Sequence, residues 1–141
     1  MKLLLATFAL VSLFAGSVAL AAGYNYLEAD DFKKWLESGR KMTIVDIQPH
    51  AEFVQHHFKG AVETNAFPAQ SAEERARLDK VLPLVAETSG DVVVVCPRGG
   101  KGAKGAYDYL KEKGVKEERL QILEDGMQGW PHKEMTVDGD K

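Results

Sequence analysis

Hydrophobic positions along this chain switch repeatedly between two spacings. Leu27, Phe32, Trp35 and Leu36 recur at helical spacing and give way to Ser38-Gly39, which predicts an amphipathic helix over Ala29 to Glu37. Thr43 to Ile47 predicts a strand halted by Pro49. Ala51 to His57 has room for two helical turns, Lys59-Gly60 marks a bend, and Ala61-Val62 reads as a short extended piece. Ser71 to Ala86 predicts a helix capped by Ser71 with Glu74 three residues on, its end broken or kinked at Pro83. Asp91 to Val95, with four successive valines from Val92, is an apolar run between Gly90 and Pro97, the pattern of a strand covered on both faces. Gly102 to Lys113 predicts a helix with Ala103, Ala106, Tyr107 and Leu110 on one face and Gly114 past its end. Leu120 to Leu123 reads as a strand, and the remainder as a short helical turn followed by loose polar chain.

Strands and helices that alternate in this way predict an α/β fold: a central, mostly parallel sheet with helices on both faces, joined by right-handed crossovers. Ligands in such folds bind beyond the carboxyl ends of the strands. The end of the valine strand is therefore the place to look for chemistry.

The first residues stand apart from this pattern. Lys2 is followed by an uncharged apolar stretch and then by Ala19-Leu20-Ala21-Ala22-Gly23, the three-part form of an export signal cleaved before Ala22. The organisation expected is a leader over residues 1–21, one domain over 22–131 and a polar tail over 132–141. The expected setting is outside the cytoplasm: the periplasm of a Gram-negative source, or secretion from another, with no membrane association after cleavage. A formal net charge of −3 with both signs mixed along the chain gives no case for nucleic-acid binding. His50, His56, His57 and His132 lack a usual ligand spacing and there is no second thiol, so no metal is expected.

The chain has one cysteine, and in an oxidising compartment it cannot serve as half of an internal disulfide. Cys96 ends the valine strand and opens Cys96-Pro97-Arg98-Gly99-Gly100-Lys101-Gly102. A lone cysteine after valines is most often a small core residue. The glycines and cations that follow argue for a nucleophile. Backbone amides in such a turn point inward, and the positive end of the next helix faces the same spot. These features predict a thiolate with a pKa below the roughly 8.5 of free cysteine, and positive φ at Gly99 or Gly100 to turn the amides inward.

Four segments together resemble the single-domain rhodaneses, over about Tyr26 to Pro131. They are Val45-Asp46-Ile47-Gln48-Pro49 with Glu52-Phe53; His56 to Ala61; Val93 to Lys101, with glycine at the fourth loop position and a cation at the sixth; and Glu124 to Trp130 with its closing Gly-Trp. The resemblance implies a sulfurtransferase of the thiosulfate type. Cys96 would take a sulfane sulfur from a small anionic donor such as thiosulfate, carry it as a persulfide, and pass it to a thiophilic acceptor, either a small molecule or an acceptor protein. Pro97, Arg98, Gly99, Gly100, Lys101 and Gly102 would form the substrate and persulfide cradle, with amides from about Arg98 to Gly102 around the sulfur. No cofactor is implied beyond the covalent persulfide. Gln48 stands where the family usually has arginine, so an ion pair with Glu52 is not expected; His56 replaces a glycine and Lys59 a proline. Asp46 is expected to fix the loop as a hydrogen-bond acceptor, His57 to be structural and Trp130 to pack.

Three other readings compete. Phosphatases and arsenate reductases of a related fold use cysteine, five residues and arginine; here the sixth position after Cys96 is Gly102. Gly100-Lys101-Gly102-Ala103-Lys104-Gly105 fits a dinucleotide fingerprint, but four residues separate Val95 from its first glycine and too little chain follows to complete such a fold. The third is a non-catalytic sulfur-carrier or anion-binding module that works only with a partner protein.

Overall fold

The computed structural model describes residues 23–140. The leader expected over 1–21 lies outside the described residues. Five parallel strands form the main sheet: β1 (Tyr26–Leu27), β2 (Met42–Asp46), β4 (Val62–Glu63), β5 (Asp91–Val95) and β6 (Leu120–Leu123). Their spatial order is β1-β6-β5-β2-β4, which puts the valine strand in the centre. Main-chain pairing is in step from Met42 opposite Asp91 to Asp46 opposite Val95. The carboxyl ends of β2 and β5 are therefore level, and whatever follows them shares one rim.

The valines alternate between two cores, as strand geometry requires. Val92, Val94 and then Cys96 face a core built with Ala103, Ala106 and Leu110 of α5 (Lys101–Glu112) and with Val85 of α4 (Leu82–Ala86). Val93 and Val95 face the other core, under α1 (Ala29–Glu37), where Phe32, Phe58 and Trp130 meet edge-on with centroids 4.9 to 5.6 Å apart. All four valines are fully buried. At about 1.5–3 kcal/mol for each fully buried aliphatic or phenyl side chain, the double cover anchors β5 from both faces.

Three expectations need correction. Ala51 to His57 is not a two-turn helix: α2 spans His50–Phe53, and His57–Phe58 forms β3. The segment after Ser71 is broken into three pieces. These are α3 (Ala72–Ala76), a 3₁₀ stretch over Arg77–Val81, and α4, where Pro83 sits in the first turn rather than ending the helix. Ser71 does cap α3 with a reciprocal bond to Glu74. Nor is the C-terminus loose, because β7 (Thr136–Val137) pairs antiparallel with β3. The polar sequence of that tail hid a strand held by main-chain bonds rather than by apolar burial. No helix among the described residues is long and apolar enough to cross a membrane.

Candidate active site

The loop after β5 curls around the cysteine sulfur. The Gly99 N–H donates to Cys96 Sγ at 2.7 Å. Gly99 alone in the loop takes positive φ, +71°, while Gly100 has φ of −97° and caps α5. Amides of Arg98, Gly99, Gly100 and Ala103 all favour the thiolate, so the ring of donors reaches into the first turn of α5. Gly102 is used differently. A Cβ there would lie 2.8 Å from the Phe67 ring, and one on Gly105 would lie 2.3 Å from the Ala69 carbonyl oxygen. The glycine spacing that imitates a dinucleotide fingerprint is thus a bare helix face against which the Phe67–Gln70 backbone lies.

The expected low thiol pKa is not what the closed site gives. Cys96 is only 2% exposed, and burial pushes its thiol up by more than the surrounding amides pull it down. The cysteine ends an in-facing row of valines, so desolvation acts on it as on them. The sulfur is nonetheless reachable. A cavity of about 260 Å³ reaches it, lined also by Phe67, Pro68, Gln70, Arg98 and Lys101. Arg98 and Lys101 are exposed at its rim.

Two further segments hold the loop, and neither role was apparent in the sequence. The Glu124–Trp130 turn lies beneath it: Met127 N–H donates to the Cys96 carbonyl at 2.8 Å and Gln128 N–H to the Pro97 carbonyl at 2.9 Å. Gly126, at φ +61°, passes so close that a Cβ would sit 2.3 Å from the Cys96 carbonyl oxygen and 2.6 Å from Arg98 N. On the other side, Thr64 N–H donates to the Asp46 carbonyl and Phe67 N–H to the Ile47 carbonyl, which bring the Phe67–Gln70 wall from the end of β2 over the cavity. The Gln70 amide then bonds the Pro68 and Lys101 carbonyls, tying wall to loop. The pair Phe67-Pro68, between a short strand and the helix that Ser71 caps, gave no sign of this wall in the sequence.

The remaining candidates are supports. Asp46 is fully buried and accepts from Gln48 N–H and the Gln48 side-chain amide at 2.9 and 3.0 Å. Gln48, in the place usual for arginine, turns to Asp46 and to the His56 carbonyl. A neutral amide cannot offset the burial of the carboxylate, which is pushed up to about 6. His57 is buried, stacks on Phe53 at 4.0 Å, and has Nδ1 2.9 Å from the Phe53 carbonyl. Trp130, 2% exposed, packs as expected. Among the described residues no three His, Cys, Asp or Glu side chains gather as a metal site.

Residues 28–133 match the model of the rhodanese-like domain. The chain belongs to the rhodanese-like family. No curated protein sequence matches it. Among solved structures it is similar to a thiosulfate sulfurtransferase from Pseudomonas aeruginosa (TM-score 0.64, 19% identity), covering 83% of this chain and 20% of that one. A rhodanese-like domain from Anabaena is similar at TM-score 0.56 and 22% identity, over 77% of this chain and 74% of its own. A yeast protein tyrosine phosphatase of the rhodanese family also has TM-score 0.56, at 20% identity, over 76% and 83%. At these identities the structures share the fold, which occurs in a sulfurtransferase and in a phosphatase alike.

Proposed function

We propose that the protein is a sulfurtransferase that moves a sulfane sulfur from a small anionic donor, such as thiosulfate, to a thiophilic acceptor through a Cys96 persulfide. The observation that carries this reading is the Gly99 amide on Sγ, set in a donor ring at the base of a cavity. After the thiol loses its proton to solvent, the thiolate attacks the outer sulfur of thiosulfate. A Cys96 Sγ–S bond forms, the donor S–S bond breaks, and sulfite leaves with the bonding pair. The persulfide carries its negative charge on the terminal sulfur, about 2.05 Å further out. The amides that favour the thiolate surround its base, and in this reading they hold that charge as an oxyanion hole holds oxygen. An acceptor such as cyanide then bonds that sulfur and restores the thiolate, so one displacement is split into two.

Phosphoryl transfer is less well supported. A tetrahedral phosphate calls for a fork of guanidinium donors; the position six after Cys96 is Gly102, and it lies against Phe67. The setting we propose lies outside the reducing cytoplasm, on the strength of the leader-like N-terminus, and the acceptor is a small thiophile or a partner protein.

Mass spectrometry after thiosulfate treatment should show one added sulfur atom, removable by reductant and missing from Cys96→Ser; cyanide should then release thiocyanate. An unmodified wild-type protein, or equal thiocyanate from Cys96→Ser, rejects the reading. Persulfide formation without turnover on any small acceptor would favour a carrier that works with a partner.

A further inference from the structure

A second cavity, of about 370 Å³, shares no lining residue with the one that reaches the sulfur. Glu52 of α2 and Lys133, just past the Glu124–Trp130 turn, both line it. Elsewhere on the molecule neighbouring charges of opposite sign pair: Arg40 with Asp91, His50 with Glu63, Lys111 with Glu117. Glu52 and Lys133 do not. Among the described residues the Glu52 carboxylate has no hydrogen-bond or ion-pair partner, and the Lys133 ammonium bonds the Met127 carbonyl alone. Partial burial draws the Lys133 pKa below the usual lysine range, with no carboxylate to hold it up.

Amides complete the lining, from Gln48, Gln55 and Gln128. Gln48 is 2% exposed and donates from its side-chain nitrogen to the Asp46 carboxylate and the His56 carbonyl. Those bonds fix its side-chain oxygen as an acceptor to which no described residue donates. No sealed side-chain oxygen or nitrogen lacks a partner among the described residues, so this one is open to the cavity that Gln48 lines. A cavity with an unpaired anion, an unpaired cation and free amides suits a molecule that carries both charges itself. A simple anion would meet Glu52 there, and a simple cation would meet Lys133. We propose that this cavity binds a free amino acid as its zwitterion. The ammonium donates to Glu52 and the Gln48 oxygen, and the carboxylate accepts from Lys133 and the Gln128 amide. The assignment is independent of the sulfur-transfer reading. It does adjoin the support of the cysteine loop, since the main-chain N–H groups of Met127 and Gln128 hold the Cys96 and Pro97 carbonyls.

The test is an NMR titration of the full chain, following its amide signals at neutral pH and low ionic strength. The probes are L-alanine and γ-aminobutyrate, zwitterions with two charge spacings, and ethylamine and propionate, which carry one charge each. One of the zwitterions should bind about tenfold or more tightly than either single-charge probe, shifting the signals of Gln48, Gln55 and Gln128. Glu52→Gln should weaken that zwitterion about tenfold and leave propionate binding unchanged or stronger. Lys133→Met should weaken it as much and spare ethylamine. Gln128→Ala, which alters no charge, should cost about threefold and stands in for either charge variant that fails to fold.

Equal binding of the zwitterions and the single-charge probes overturns the proposal. So does a zwitterion preference that survives in both charge variants. Shifts confined to Arg98–Gly102 also overturn it, because they seat the amino acid in the Cys96 cavity instead. The titration uses no sulfur donor, so its failure leaves sulfur transfer standing, and a protein that no donor loads can still bind the amino acid.

Discussion

A cysteine at the foot of a buried valine row and a ring of amides act on one sulfur in opposite directions. Burial prevails in the resting site, so Cys96 carries its proton to higher pH than a free thiol. In the sulfur-transfer proposal, Arg98 and Lys101, which line the cavity, supply the field that draws an anionic donor inward. Replacing both with alanine should lower kcat/KM for thiosulfate by about three- to tenfold at low ionic strength and flatten its salt dependence; unchanged kinetics across a salt series would remove their electrostatic role. Asp46 shows the same contest in a carboxylate. Its folded pKa is raised from 3.8 to about 6, so between those values the native state holds a proton that the unfolded chain has released. The stabilising contribution is complete below the unfolded pKa and disappears as pH rises through about 6, an effect of up to about 3 kcal/mol. Asp46→Asn should flatten urea-unfolding stability between pH 4 and 6. Gln48→Arg should shift the Asp46 titration downward, visible in the carboxyl NMR signal of Asp46. The sequence marked Cys96, Asp46 and the loop cations as candidates, but the sign of the Cys96 shift follows from depth of burial, which a cysteine beside glycines does not disclose.

At the scale of elements, the loop works because two other segments hold it. The Glu124–Trp130 turn takes the carbonyls of Cys96 and Pro97, and Gly126 fits only because it has no Cβ. Gly126→Ala combines positive φ with contacts of 2.3 to 2.7 Å against the loop backbone. It should cost about 1–3 kcal/mol of stability and reduce persulfide formation at least tenfold in protein that remains folded. Gly114→Ala, at φ +102° with open space around it, is the control. It should show the stability loss without the kinetic one, and equal activity losses in the two variants would remove the loop-support role. Boundaries of the long periodic elements were legible: Ala29–Glu37, Asp91–Val95 and Leu120–Leu123 lie where apolar spacing puts them. The two-residue strands β1, β3 and β7 were not, because pairs such as Thr136–Val137 are too short for a period and owe their state to a distant partner. Phe67–Gln70 escaped for a similar reason. Its position is set by bonds to Ile47 and Lys101, neither of them a neighbour in sequence.

Taken whole, the molecule is a sheet between two cores, with its reactive end on the rim where β2 and β5 finish level. Strand–helix alternation and the double-sided valine run were enough to foresee this architecture. They did not show which core the cysteine belongs to; that follows from strand parity, which places Cys96 with Val92 and Val94. The opposite core depends on Phe32, Phe58 and Trp130. Trp130→Ala should destabilise the fold by about 3–5 kcal/mol in urea unfolding, while the fraction still folded loads sulfur at a near-normal rate. A specific loss of loading without loss of stability would mean that Trp130 reports on the sulfur directly.

The depth of Cys96 also bears on how the protein meets oxidants and its own kind. A disulfide needs Cα atoms within about 7 Å of each other, and a sulfur 2% exposed on a recessed floor cannot approach its twin in a second molecule so closely. Air and crowding therefore leave the chain without covalent dimers. Reagents that age the thiol must reach it through the cavity that Phe67 and Lys101 help to line.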